Sequence, residues 1–261
     1  VIPRFIYALI AFVSLFPLLV LAGYSIAPGW TFPDIIPSRF DARAFEYLGS
    51  QAPSVLRHMA SSVLYSLLTV CLTLMLCLSP AHHFARCDFR GKATLEGLFL
   101  APALVPVMTF SMGVHSLFIR LGLADTFMGV VLVLTTFSYP YMLRALVAGY
   151  QAIGPEYEQC ARNLGAGFLT RLLRIELPLL VPSIIAGGSV VFLVAFSEYF
   201  LVFLIGGGAV DSFTGYLFPF LTSSDRSVGS LLTLLFLAVP VSLFVLVESV
   251  VTRVYRNRGI Y

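Results

Sequence analysis

Long apolar runs separated by short polar segments dominate the chain. Six stretches are poor in charge and long enough to cross a membrane: Phe5–Ala27, Met59–Pro80, Gly97–Ile119, Thr126–Leu143 (running on past Arg144), Leu177–Val210 and Val228–Val247. A helix rises 1.5 Å per residue, so about 20 apolar residues cover a hydrocarbon core about 30 Å thick. The pattern predicts six transmembrane helices, over about residues 5–27, 59–80, 97–119, 126–147, 178–205 and 228–250. Pro17, Pro102, Pro106, Pro140, Pro182 and Pro240 fall inside these stretches, where neighbouring helices can satisfy the carbonyls they free. The first stretch is expected to be a retained span: it is too long for a removable signal peptide and has no small-residue cleavage site. The fifth has room for a span and a re-entry, and Glu198 alone interrupts it.

The segments between the spans carry their own patterns. Phe40, Ala44, Phe45 and Leu48 recur at helical spacing behind Ser38, which predicts a short interfacial helix capped by that serine. Composition then settles the class. Hydrophobic residues make up 59% of the 261 positions and charged residues 11%, and the mean hydropathy is +0.93. A water-soluble domain carries about 25% charged residues, so lipid is the solvent here. The fold class is all-α, a polytopic membrane protein that occupies the bilayer as a single domain.

Net charge is +3, with no basic run of the kind that binds nucleic acid. With the N-terminus inside, one side holds Arg4, Arg86, Arg90, Lys92, Arg144, Arg162, Arg171, Arg174, Arg253, Arg256 and Arg258, against Arg39, Arg43, Arg57, Arg120 and Arg226 on the other. That asymmetry predicts both termini in the cytoplasm. Cys71, Cys77, Cys87 and Cys160 show neither zinc nor disulfide spacing.

The least membrane-like stretch between two spans is residues 149–177. A first short helix opens at Gly154-Pro155, with Glu156 and Glu158 in its first turn, where they favour the dipole. Tyr157, Cys160, Ala161 and Leu164 then form one apolar stripe, which Gly165 and Gly167 end. A second helix carries Phe168, Leu169, Leu172 and Leu173 on one face and Arg171 and Arg174 on the other, with Pro178 expected to separate it from the next span. Stripes this small cannot fold alone and need a surface to bury against.

This loop resembles the cytoplasmic signature E-A-A-x3-G-x9-I-x-L-P of permease subunits in binding-protein-dependent ABC importers of the type I fold. The matching positions are Gln159-Cys160-Ala161, Gly165, Ile175 and Leu177-Pro178. Gln159 stands in place of the acidic residue and Cys160 in place of alanine. Glu158, one position earlier, is a candidate substitute for the charge, rotated by about 100°. A weaker likeness lies in Ala85-Arg86-x2-Phe89-x-Gly91-Lys92. Ser197-Glu198-Tyr199 in the fifth stretch is similar to polyamine, ferric-iron, thiamine and aminoethylphosphonate importers.

The resemblance implies an inner-membrane permease of a bacterium that forms half of a translocation path for a small polar solute. It also implies a second permease, a paralogue, an extracytoplasmic binding protein and ABC ATPase subunits in two copies. Glu158, Gln159, Cys160, Ala161, Leu164, Gly165, Ile175, Leu177 and Pro178 would couple the chain to the ATPase, and Ser197, Glu198 and Tyr199 are candidates for the path. ATP and Mg2+ would belong to the ATPase, since the chain has no G-x4-G-K-[ST] and Gly206-Gly207-Gly208 lacks the lysine.

Other constellations are weaker. His82-His83 with Cys87 and Asp88 evokes a metal site, but adjacent side chains on a helix point about 100° apart. His115-Ser116 has no carboxylate beside it in sequence. Phe137, Tyr139 and Tyr141 around Pro140 fit either a passage or packing. Glu198 in a span is a functional candidate by its cost in lipid, with a neutral, hydrogen-bonded carboxyl at a helix contact as the competing reading. A stand-alone secondary transporter or channel should show paired intramembrane charges or inverted repeats, and an enzyme should show convergent acid, base or metal ligands. The sequence shows neither pattern.

Overall fold

The computed structural model describes residues 4–30, 37, 39–223 and 226–257. Its elements are α1 (Arg4–Ile26), α2 (Arg43–Ser50), α3 (Ala52–Arg86), α4 (Lys92–Leu100), α5 (Val107–Leu121), α6 (Phe127–Ile153), α7 (Glu156–Asn163), α8 (Phe168–Arg171), α9 (Leu177–Ser197), α10 (Phe200–Gly206), α11 (Phe213–Leu221) and α12 (Arg226–Asn257). A 3-10 turn at Ala101–Ala103 extends α4, and a π turn at Leu172–Glu176 joins α8 to α9. No strand occurs among the described residues. Five helices among them are long and apolar enough to cross a membrane, or six if one bent pair counts as a single span.

The chain divides into two compact units, residues 1–61 with 211–261, and residues 62–210. In the first, α1 packs on α12, and α2 seats Ala44 in a core with Val55, Phe213, Leu217 and Leu232. The interfacial helix begins later than its pattern suggested. Its first N–H is met by Asp41, whose Oδ1 accepts from Arg43 N at 3.1 Å, while Phe40 lies outside the helix and is exposed. Ser38, the expected cap, falls outside the described residues. Helix α11 has no counterpart in the sequence reading, because its nine residues are too short to register as a span.

In the second unit α6 is the central post, with Val130, Val133, Leu134, Met142, Leu143 and Leu146 all buried. It packs closely on α9 because Gly187 lets the backbones approach: a Cβ there would lie 2.8 Å from Ala145 Cβ and 3.1 Å from Met142 Sδ. Small residues at such contacts are how helices associate in lipid, where apolar burial gives no net drive.

Four sequence expectations are corrected. The third stretch is not one straight span: Lys92–Ala103 and Val107–Leu121 meet at 89°, because Pro106 has no N–H to continue the ladder and its backbone there is extended (φ −56°, ψ 128°). The fifth is likewise broken, at Glu198 (φ −75°, ψ 115°), before α10. Pro178 does not separate the second loop helix from the next span. Helix runs unbroken over Phe168–Ser197, since proline is tolerated in the first turn of α9 and the widened turn before it absorbs the misfit. The post α6 also continues through Arg144 to Ile153, into the stretch read as loop.

Replacing Gly187 by Val should drive α6 and α9 apart. The expected cost is about 1–3 kcal/mol, as for an overpacked core, read as a lowered thermal midpoint in detergent, with α1 and α12 unaffected.

Candidate functional site

The segment from Gly154 to Pro178 forms the most polar structure in the second unit. Helix α7 starts after Pro155 with Glu156 and Glu158 in its first turn. It ends in a Schellman motif: Gly165 N–H donates to Arg162 O, and Ala166 N–H donates to Ala161 O. The motif needs a left-handed residue at its turn, and Gly165 supplies it with φ +78°.

The apolar stripe read from the sequence splits in two. Ala161 is buried, while Tyr157, Cys160 and Leu164 are exposed, Leu164 at 83%. Phe168, Leu169 and Leu173 add three more exposed apolar side chains from the next turn of chain. Gln159 is exposed, and Ile175, Leu177 and Pro178 are half-buried. This is an uncovered apolar surface shared by the short helix α7 and the first turns of the long helix that continues into α9.

Glu158 points the other way. It is 8% exposed, and both carboxylate oxygens meet cations or potential cations. Oε2 lies 3.0 Å from His82 Nε2 and 3.8 Å from Arg86 Nε; Oε1 lies 3.3 Å from Arg162 Nη2 and 3.6 Å from Arg171 Nη2. Arg171 also approaches Glu176, with Nε 4.0 Å from Oε1, and the buried Tyr150 hydroxyl donates to Glu176 Oε2 at 3.1 Å. Arg86 donates to the carbonyls of Tyr150 and Gly154, which closes the C-terminal end of α6. Its guanidinium lies 5.8 Å from the centre of the Tyr150 ring.

One donor atom each from His82, Glu158 and Glu176 lie within 4.8 Å of one another, as in a cation site. Guanidiniums already face both carboxylates, so arginine supplies the positive charge that a metal would bring. Sequence reasoning missed His82, Arg86, Tyr150, Arg171 and Glu176 as members of one site. They come from four separate elements, and no spacing along the chain joins them.

Glu198 also acts locally. Its Oε1 accepts from Leu201 N–H at 3.1 Å, capping α10. Ser197 Oγ donates back to Leu193 O, and the Tyr199 ring stacks with Phe203. At the other end of α10, Gly207 takes a left-handed conformation and closes the helix. The aromatics near Pro140 separate: Phe137 is buried, Tyr141 is exposed, and Tyr139 lines a cavity of about 530 Å³ with Leu76, Pro80, Phe99, Pro102 and Thr135.

A bundle of helices long and apolar enough to cross a membrane, with an uncovered apolar surface on one polar connection, defines a polytopic membrane protein. The chain belongs to the family of binding-protein-dependent transport system inner membrane components, whose model matches residues 1–258. That is a family of transport subunits rather than enzymes. Among curated relatives, the molybdate/tungstate transport system permease protein WtpB of Pyrococcus abyssi is 25% identical over 153 residues, 59% of this chain and 61% of that protein. The trehalose transport system permease protein SugB of Mycobacterium tuberculosis is 25% identical over 247 residues, 90% of this chain and 87% of that one. The chain thus spans about three-fifths of the length of the molybdate/tungstate relative and most of the trehalose one. A crystal structure of a bacterial ABC transporter that imports the acidic polysaccharide alginate shares the fold, with a TM-score of 0.72 at 17% identity over 96% of this chain and 94% of that one.

Burial alone would raise the pKa of Glu158, but the His82 hydrogen bond and the charges of His82, Arg171 and Arg162 outweigh it and hold the carboxyl below its usual 4.5. A lowered pKa contributes stability that is complete above the ordinary value and is lost as pH falls through the lowered one. Amide exchange in α7, corrected for intrinsic rate, should stay protected from about pH 7 to about pH 5 and lose protection only below the ordinary carboxylate range.

Proposed function

We propose that this chain is the membrane-spanning permease subunit of an ATP-driven importer and that the Gly154–Pro178 loop seats in a separate ABC ATPase. The observation that carries this reading is the exposed apolar face of Leu164, Phe168, Leu169 and Leu173 on a loop that matches the importer signature. A contiguous exposed apolar face of this kind marks a surface that a partner covers. Gln159 and Cys160 lie on the outward side, where the signature places its contact residues. Glu158 is turned inward, so the acidic contact of the signature is replaced here by apolar and amide groups.

ATP and Mg2+ belong to the ATPase, two copies of which face the permease pair. The pair is this chain with a paralogue, both termini lie in the cytoplasm, and an extracytoplasmic binding protein delivers the solute. The relatives' names, an oxyanion permease and a disaccharide permease, support a small polar solute. The polyamine-like reading rests on Ser197-Glu198-Tyr199 alone.

Covering of the loop is read by labelling. Cys160 should react with a membrane-permeant maleimide quickly in the permease alone and at least about tenfold more slowly in the ATPase complex, the rate difference that about 1.4 kcal/mol of occlusion gives. Cys87, in the α3–α4 connection, serves as the access control. Equal labelling of Cys160 in both samples excludes the dock.

Glu198 gives the second test. Facing the seam between two permeases, it would offer counter-charge to a cationic solute; facing its own bundle, it serves only to cap α10. Glu198→Gln keeps an oxygen that can accept from Leu201 N–H, so the cap survives while the charge is lost. On the path reading the variant assembles with its ATPase but transports poorly at limiting substrate. Wild-type transport removes Glu198 from the path.

A further inference from the structure

We propose that the buried cluster centred on Glu158 is the mechanical link from the coupling loop to three spans, and that the π turn at Leu172–Glu176 serves to complete it. The proposal rests on the docking reading above. Helix α7 has very little else to hold it in place: of its eight residues only Glu158 and Ala161 are buried. One alanine gives little packing, so the position of α7 on the unit is set by the contacts of one carboxylate. Those contacts lead to His82 and Arg86 at the end of α3 and to Arg171 at the foot of the helix that becomes α9. Arg86 grips the terminal carbonyls of α6, and Glu176 takes the hydroxyl of Tyr150 on the same helix. A displacement of α7 therefore pulls on α3 through the His82 hydrogen bond and the Arg86 ion pair, on α6 through the carbonyls Arg86 holds, and on the foot of α9 through the Arg171 ion pair.

The π turn has a geometric part in this. In an α-helix two residues five positions apart point about 140° away from each other. Here Leu177 N–H donates to Leu172 O, five residues back instead of four. The extra residue in that turn brings Arg171 and Glu176 round to one side, where each reaches the cluster. An α-helical turn would aim one of them away, leaving a buried charge without its partner. Helices carry such single widened turns at functional sites at the cost of poorer backbone bonds, and the Arg171–Glu176 alignment is what this one gains.

Glu158 is thus a positioning residue, and its test is a distance within the assembled importer. Spin labels go on Asn163→Cys in α7 and Val190→Cys, exposed on α9, with Cys71, Cys77, Cys87 and Cys160 replaced by Ala. The purified complex in nanodiscs is compared without nucleotide and trapped with ATP and vanadate. With Glu158 present, the distance should be narrow and the same in both states, because α7 and α9 move together. In Glu158→Gln it should broaden, or shift on trapping by more than about 2 Å, the scale of helix shifts between packed states. Glu158→Asp, which keeps the charge, should restore the narrow distance, an effect that loss of side-chain bulk would not produce. Glu176→Gln, which disturbs the cluster from the α9 side, should act in the same direction and covers the case in which Glu158→Gln assembles poorly. A distance unchanged in both Gln variants overturns the link while leaving the dock standing. Failure of the ATPase to protect Cys160 in the native chain overturns the dock itself, and the link with it.

Discussion

In hydrocarbon a backbone N–H or C=O without a partner costs several kcal/mol, so a chain with this little polar surface must close its hydrogen bonds inside helices. Each place where a helix stops or breaks needs a replacement partner. The structure supplies one from a side chain at three junctions of the second unit. Glu198 takes the Leu201 N–H where α9 gives way to α10. Thr126 takes the Gly129 N–H at the start of α6, and Arg86 takes the carbonyls of Tyr150 and Gly154 at its end. Polar side chains are rare in this chain, and several of them are spent on these repairs.

Arg86 connects that constraint to function. Having closed α6, it lies against Glu158, and the same guanidinium sits over the Tyr150 ring. The end of a membrane helix and the root of the coupling loop are therefore one structure. Charges this deeply buried are held by mutual pairing: two carboxylates meet arginines from α3, α7 and α8, and removal of one partner strands the others. Such a cluster adds little net stability over an apolar core, but it fixes one geometry, as the proposed coupling role of the loop requires.

The outward and inward faces of α7 divide the work. Leu164, Cys160 and Tyr157 are exposed, where the proposed partner would meet them, while Glu158 and Ala161 face the helix's own unit. In the importer signature the acidic residue lies one position later, at the place held here by Gln159. A shift of about 100° around the helix moves the charge from the outer surface to the interior. The sequence showed the displaced acid, and its role followed only once the surroundings of Glu158 were known.

The sequence by itself determined the lipid solvent, the approximate number and placement of spans, and the loop with its glycine stop at Gly165. These depend on composition, on runs of about 20 apolar residues and on short-range spacing, all of which are local. It did not determine the 89° bend before α5, the break at Glu198 or the continuity of helix across Pro178, because proline and glutamate are each compatible with helix or break until neighbours supply or withhold hydrogen-bond partners. Nor did it assemble His82, Arg86, Tyr150, Glu158, Arg171 and Glu176. Glu158 was visible as a misplaced acid and Arg171 as one side of an amphipathic turn, but His82 and Glu158, 76 positions apart, are brought into contact only by the packing of α3, α6 and α9, and Arg171 joins them through a single widened turn.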